Sequence, residues 1–193
     1  MRIVGGKHKG RILAAPQGRD TRPTSDRARE AIFNVLEHLG VGPGLDGARV
    51  LDVFAGTGAL GLEALSRGAM HATFVDNHRG AVKILQTNIA TLNEAAHCTV
   101  LPIKATALGK PRNAGDAVDY AFLDAPYDKE LTAPALQALA ETGWLSPQAV
   151  IMAEVGVRED LSLPPRFHVV KEKTYGAARA VFIEFRPELS EAH

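Results

Sequence analysis

Apolar positions along this chain follow two alternating rhythms. Short, nearly continuous apolar runs read as strands: "RVLDVF" at 49–54, "HATFVD" at 71–76, "CTVLPI" at 98–103, "DYAFLD" at 119–124 and "AVIMAE" at 149–154. Pro102 makes the third run an imperfect strand, because it has no amide to donate. Between the runs the apolar residues recur at helical spacing, in "ALGLEALSRG" at 59–68, over 79–93 and near 131–142. An earlier helix is predicted in "RDTRPTSDRAREAIFNVLEHLG", where Ala28, Ala31, Ile32, Val35, Leu36 and Leu39 share one face. Thr24 or Ser25 is placed to cap its start, Asp26 suits the first turn, and Gly40 suits the stop. "FHVVKEK" and "ARAVFIEF" predict a closing antiparallel hairpin around "TYGA". The first twenty residues read as a short β arm, "RIVGG" and "GRILAAP" flanking basic, glycine-containing turns.

Five apolar strands with intervening helices predict a mostly parallel sheet covered on both faces. Right-handed crossovers put the carboxyl ends of those strands on one edge, where ligands bind. The 193 residues, 46% of them hydrophobic, suffice for one core. Cys98 is the only cysteine, which excludes an intrachain disulfide and a cysteine-zinc cluster. No run approaches the length of a signal peptide or membrane span, so the expected location is the cytoplasm.

Charge matters through its distribution. The whole chain balances 22 basic against 22 acidic residues. Residues 1–30 hold eight Lys and Arg against three acids, a net +5, so the remainder carries −5. Such an arm attracts phosphate locally. Lys7, Lys9, Arg11 and Arg19 are its candidate phosphate contacts.

The densest chemical signal is "LDVFAGTGALGLEAL". Gly56, Gly58 and Gly61 satisfy G-x-G-x-x-G between a strand and a helix, a spacing that permits a tight turn and close backbone approach to a ligand. Asp76 closes the next strand and can accept hydrogen bonds from ribose hydroxyls. A nicotinamide-binding domain meets both conditions as well. Asp52 lies inside the apolar strand, and a buried carboxylate needs a partner. The amino group of S-adenosylmethionine can supply one; the alternative is an Asp52 that faces solvent or caps a helix. The second signal is "YAFLDAPYDK", where an apolar run stops at Asp124. By itself this motif reads first as a turn, with Asp124 bonding local amides and Tyr127 covering the core edge.

Taken in order, "RIVGGKHKGR", "RPTSDRAREAIFNVL", "LDVFAGTGALGLEALSRGA", "FLDAPY" and "KEKTYG" resemble the RsmD-like family, which methylates guanine N2 in small-subunit ribosomal RNA. The resemblance spans nearly the whole chain. It implies a Rossmann-like class I methyltransferase with a seven-stranded, mostly parallel sheet, a terminal antiparallel hairpin and a short N-terminal β extension. It divides the chain into a basic arm, 1–22, and a methyltransferase domain, 23–193. It implies S-adenosylmethionine as cofactor and 16S rRNA, within a small-subunit particle, as partner, with neither metal nor membrane. Cofactor contacts then fall on Asp52, Phe54, Ala55, Gly56, Thr57, Gly58, Asp76 and Asn77. Asp124, Ala125, Pro126 and Tyr127 match the family's D-P-P-Y or D-P-P-F catalytic loop, with Ala125 in place of the first proline. Substrate contacts fall on Lys7, Lys9, Arg11, Arg22, Thr24, Arg27 and Tyr127, and Pro23 belongs to the same N-terminal signature. His78 stands where the family commonly has aspartate, and the expectation is an exposed loop histidine. Lys104 falls near the position that addresses adenine, and lysine cannot accept the adenine amino hydrogen. Glu154 reads as a support for the catalytic loop or a plain strand end. Lys173 and Tyr175 read as RNA contacts or a plain hairpin turn. The alternatives are a DNA amino-methyltransferase, a nicotinamide dehydrogenase and a noncatalytic RNA-binding or ribosome-assembly protein.

Overall fold

The computed structural model describes residues 1–16, 25–125 and 131–187. Its centre is a seven-stranded sheet: β1 (Arg49–Val53), β2 (His71–Val75), β3 (Cys98–Leu101), β4 (Val118–Asp124), β5 (Leu145–Gly156), β6 (Phe167–Tyr175) and β7 (Ala178–Phe185). The spatial order is β3-β2-β1-β4-β5-β7-β6. β1 to β5 run parallel, and β7 lies antiparallel between β5 and β6. The order in which successive strands are laid down reverses between β1 and β4, the switch point at which open α/β sheets bind ligands.

Strand alternation sorts the core. Val50 and Asp52 face one side of β1, and Leu51 and Val53 face the other. The first side packs Phe74, Phe122 and Tyr120 against α1 (Asp26–Glu37), α2 (Ala59–Ser66) and α3 (Arg79–Leu92). The second side packs Leu51, Val53, Leu123 and Ile151 against α4 (Thr132–Thr142) and Trp144. Ser25 is the cap of α1, its Oγ accepting the Ala28 amide at 3.1 Å. His78 caps α3, Nδ1 accepting from the Ala81 amide at 3.2 Å, so this exposed histidine starts a helix.

Three elements differ in extent from the sequence reading. β3 stops at Leu101, directly before Pro102. β5 begins at Leu145, before the apolar "AVIMAE", because a register shift lets Val118 pair with Leu145 and Tyr120 with Val150. The β pairing of the arm reduces to one antiparallel bridge, Arg2 to Ile12, around a 3-10 turn at Gly6–His8. Ile3 and Leu13 nevertheless sit in the first core, at 0% and 2% exposure, so the arm is packed and not merely tethered.

Candidate active site at the carboxyl edge of β1, β2 and β4

Register aligns the ends of three strands. Val53 pairs with both Val75 and Leu123, so the next residues, Phe54, Asp76 and Asp124, follow in one row at the sheet edge. Asp124 pairs in register with Glu154 of β5. Four carboxylates thus gather at or just below this edge: Asp52, Asp76, Asp124 and Glu154.

The glycine loop between β1 and α2 is bonded to these carboxylates. Asp76 Oδ2 accepts the Gly56 amide at 2.8 Å, and its Oδ1 accepts the His78 amide at 2.8 Å. Asp52 Oδ2 accepts the Gly61 amide at 2.9 Å, and the Gly58 amide donates to the Ala55 carbonyl at 2.7 Å. All three glycine amides are therefore engaged within the protein. A dinucleotide pyrophosphate needs such amides free, and needs an edge that is not acidic. A ligand bearing sulfonium and ammonium groups suits four carboxylates better.

Phe54 adopts φ 62°, a left-handed conformation uncommon for a bulky residue. Strain of this kind costs about 1–3 kcal/mol and clusters at ligand sites. It turns the chain sharply into the loop. Ala55 is buried, whereas Gly56 and Thr57 are half-exposed and Asn77 is exposed. Gly56 has φ +55°, and a side chain there meets only the Phe54 carbonyl, 3.9 Å away. The space above Gly56 is open for a ligand. Gly61 has a different role, since an added Cβ lies 2.4 Å from Phe74 Cε1. It lets α2 lie against β2. Gly61→Ala is expected to lower the urea-unfolding free energy by about 1–3 kcal/mol through overpacking.

Asp52 is 1% exposed, and the Gly61 amide is its hydrogen-bond donor. Burial pushes its pKa well above the ordinary carboxylate value; the Gly61 amide opposes this, and the charges of Asp124 and Asp76 add to it. Burial of this kind disfavours the charged form, and a cation close by favours it.

Asp124 is half-exposed at the end of β4, and Ala125 behind it is buried at 6%. Pro126 and Tyr127 lie outside the described residues, as do Arg19, Arg22, Pro23 and Thr24. Glu154 is buried at 9%. Lys104 is exposed just past β3, its carbonyl accepting the Ala107 amide at 2.9 Å. At the far hairpin, Lys173 Nζ lies 5.5 Å from the centre of the Tyr175 ring.

The basic arm divides in two. Lys7 Nζ is 2.6 Å from Glu94, and Arg11 donates to the Thr91 carbonyl at 2.8 Å. Both fasten the arm to α3 and the turn after it. Lys9 and Arg27 are exposed and line one cleft. Sequence reasoning missed the residues that place the arm. Glu63 on α2 accepts the Val4 and Gly5 amides, each at 2.8 Å. Asn88 on α3 bonds both the amide and carbonyl of Ala14, at 2.7 and 3.1 Å, and donates to the Thr57 carbonyl at 2.9 Å. Thr57 Oγ1 also lies 3.7 Å from Met1 Sδ. Met1 thus touches the glycine loop directly, and Ala14 is joined to it through Asn88. A glutamate inside the apolar helix "ALGLEALS" was the one available signal for this.

Among the described residues, no helix is long and apolar enough to cross a membrane, and no group of three His, Cys, Asp or Glu side chains is arranged to hold a metal. Comparison with known proteins gives a coherent result. Residues 1–184 match the family described as conserved hypothetical protein 95. The chain is 37% identical to ribosomal RNA small subunit methyltransferase D of Escherichia coli (strain K12) over 177 residues, covering 91% of this chain and 85% of that protein. It is 37% identical over 180 residues to YlbH of Bacillus subtilis (strain 168), covering 91% and 94%. The solved structure of yhhF from Escherichia coli superposes with a TM-score of 0.82 at 35% identity, covering 97% of this chain and 99% of that one.

Proposed function

The chain belongs to the RsmD- and YlbH-like family of ribosomal RNA methyltransferases, and from that premise we propose that it methylates the exocyclic N2 of a guanine in 16S rRNA, with S-adenosylmethionine as methyl donor and a small-subunit particle as substrate. The observation that supports the cofactor best is the acidic edge. Asp52 is buried without a cationic partner among the described residues, and the glycine amides are already engaged by the protein. S-adenosylmethionine supplies an electrophilic methyl on a sulfonium, and its ammonium fits the role of counter-ion to Asp52.

The protein's share of the reaction is orientation and electrostatics. Guanine N2 is a weak nucleophile, because its lone pair is delocalised into the ring. In this reading the Asp124 carboxylate accepts one N2 hydrogen and the backbone carbonyl of residue 125 or 126 accepts the other. Those two acceptors turn the nitrogen toward the methyl and offset the positive charge that develops on it. Tyr127 provides the face on which the flipped base stacks. Ala125 retains the carbonyl that the family's proline has, and preceding Pro126 keeps its backbone extended. Phe54, Ala55, Gly56, Thr57 and Gly58 shape the methionine end, and Asp76 with Asn77 faces the ribose.

The direct test uses labelled methyl. Small-subunit particles lacking the modification are incubated with the protein and labelled S-adenosylmethionine, and the 16S rRNA is digested to nucleosides. Label in N2-methylguanosine is the expected result. Label in DNA adenine, or none in RNA, overturns the reading.

Asp52 makes cofactor binding pH-dependent. Its raised pKa means that the folded, cofactor-free protein holds a proton which the unfolded chain has lost above about pH 4. Between those two pKa values the folded state binds more protons, so its stability falls as pH rises. Asp52→Asn is therefore expected to raise the melting temperature of the cofactor-free protein at neutral pH while weakening S-adenosylmethionine binding. In the parent, that binding strengthens with rising pH and releases a proton to buffer. Calorimetry in buffers of different ionisation enthalpy measures both effects, and binding without proton release contradicts this role for Asp52.

A further inference from the structure

Between the arm and the first turn of α1 lies a cleft of about 380 Å³, with Arg2, Lys9, Asp26, Arg27 and Glu30 among its walls. Its cations fall into two kinds. Arg2 Nε pairs with Asp26 at 3.2 Å. Arg29, fully buried beneath, donates to Asp26 at 2.8 Å and to the Arg2 carbonyl. These two hold the arm to the helix. Lys9 and Arg27 are exposed, and neither side chain has an ion-pair or hydrogen-bond partner among the described residues. One rises from the arm's turn and the other from the first turn of the helix, and both line the cleft.

We propose that this cleft seats a backbone phosphate of the RNA substrate, gripped between Lys9 and Arg27, while the equally basic Lys7 and Arg11 serve only to fasten the arm. The proposal rests on the methyltransferase reading for the identity of the RNA. Its geometry is independent of that reading. The cleft is tied together without a ligand: Asp26 accepts the Arg2 amide at 3.2 Å as well as the two guanidinium groups, which joins the arm to the helix. Burial alone raises the Asp26 pKa, but the Arg2 amide and the Arg29 guanidinium outweigh it and hold the carboxylate ionised. With Asp26 neutralised by Arg2 and Arg29, a phosphate meets Lys9, Arg27 and the opposing charge of Glu30. The cleft is also close to the chemistry, since Met1, next to Arg2, touches Thr57 of the glycine loop. A phosphate held there positions the strand that delivers the target base, and it carries no sequence information itself.

The test is an RNA titration of methyl transfer at several salt concentrations, with rRNA binding measured in parallel by filter retention. Replacing Lys9 and Arg27 together by glutamine is expected to raise the KM for RNA about 10-fold at near-physiological salt, with kcat held. The slope of log affinity against log salt should fall by about 0.7–0.9, from one lost phosphate contact. Lys7→Gln with Arg11→Gln should leave that slope unchanged, because Glu63, Asn88 and Asp26 still hold the arm. Glu30→Gln should tighten RNA binding. S-adenosylmethionine affinity should be the same in all of them. If the Lys9 and Arg27 double variant keeps the parental KM and salt slope, the clamp is wrong. If the parent transfers no methyl yet binds rRNA with a slope that depends on Lys9 and Arg27, the clamp stands and the methylation reading falls.

Discussion

Asp124→Ala is expected to lower kcat for methyl transfer about 10²–10⁴-fold, with S-adenosylmethionine still bound and the fold intact. The size follows from the role proposed for the side chain at the reacting atom. A carboxylate aimed at the guanine amine orients it and stabilises the charge that appears only during transfer, and the removal of such an electrostatic partner costs kcat more than KM. The fold should survive because Asp124 is a half-exposed strand end, whose neighbours Phe122 and Leu123 carry the packing. A second readout separates this role from a structural one. The charge of Asp124 helps to keep Asp52 protonated. Its removal should move the pH dependence of cofactor binding to lower pH, while a merely loosened loop would leave that dependence in place. Unaltered kcat in a folded Asp124→Ala protein would exclude the proposed chemistry.

The parts of this molecule that were legible in the sequence are those whose partners lie near in the chain or repeat with a period. The strand runs and helical spacings gave the α/β architecture. The ends of these strands were closely readable, because the runs at 71–76 and 119–124 close on Asp76 and Asp124 and the glycine loop follows soon after Phe54. The glycine loop was readable because G-x-G-x-x-G is local. What was not legible depends on contacts between distant residues. Asp52 called for a partner, and the sequence left a ligand and a capping role both open, whereas the structure shows the Gly61 amide nine residues on using one of its oxygens. His78 looked like loop, because helix capping is a matter of backbone geometry. Lys7 and Lys9 are indistinguishable as letters, yet Glu94, 87 residues from Lys7, engages one and not the other. The arm's bridge to α2 was invisible for the same reason, with partners 58 and 59 residues apart.

That bridge carries the second large expected effect. Glu63→Ala should destabilise the protein by about 3–5 kcal/mol, the usual result of breaking a buried ion pair from one side. Glu63 is completely buried and joins three groups: the Val4 amide, the Gly5 amide and Arg67 Nε at 2.8 Å. Its loss leaves two arm amides without their acceptor, each under a further desolvation penalty. Arg67 loses its inner carboxylate and keeps only Glu37 at 2.7 Å and the Phe33 ring, 5.0 Å from its guanidinium carbon. Glu63→Gln should cost less, since an amide oxygen still accepts from the backbone but brings no charge for Arg67. Urea unfolding of both variants checks the order. The functional consequence follows from the arm's position. A released arm uncouples Lys9 from Arg27 and Met1 from Thr57, so RNA affinity should fall in Glu63→Ala even below its unfolding midpoint, where the sheet and its cofactor edge remain folded. If RNA affinity instead stays parental while stability drops, the arm's attachment to α2 serves the core alone, and substrate capture depends on other surfaces of the fold.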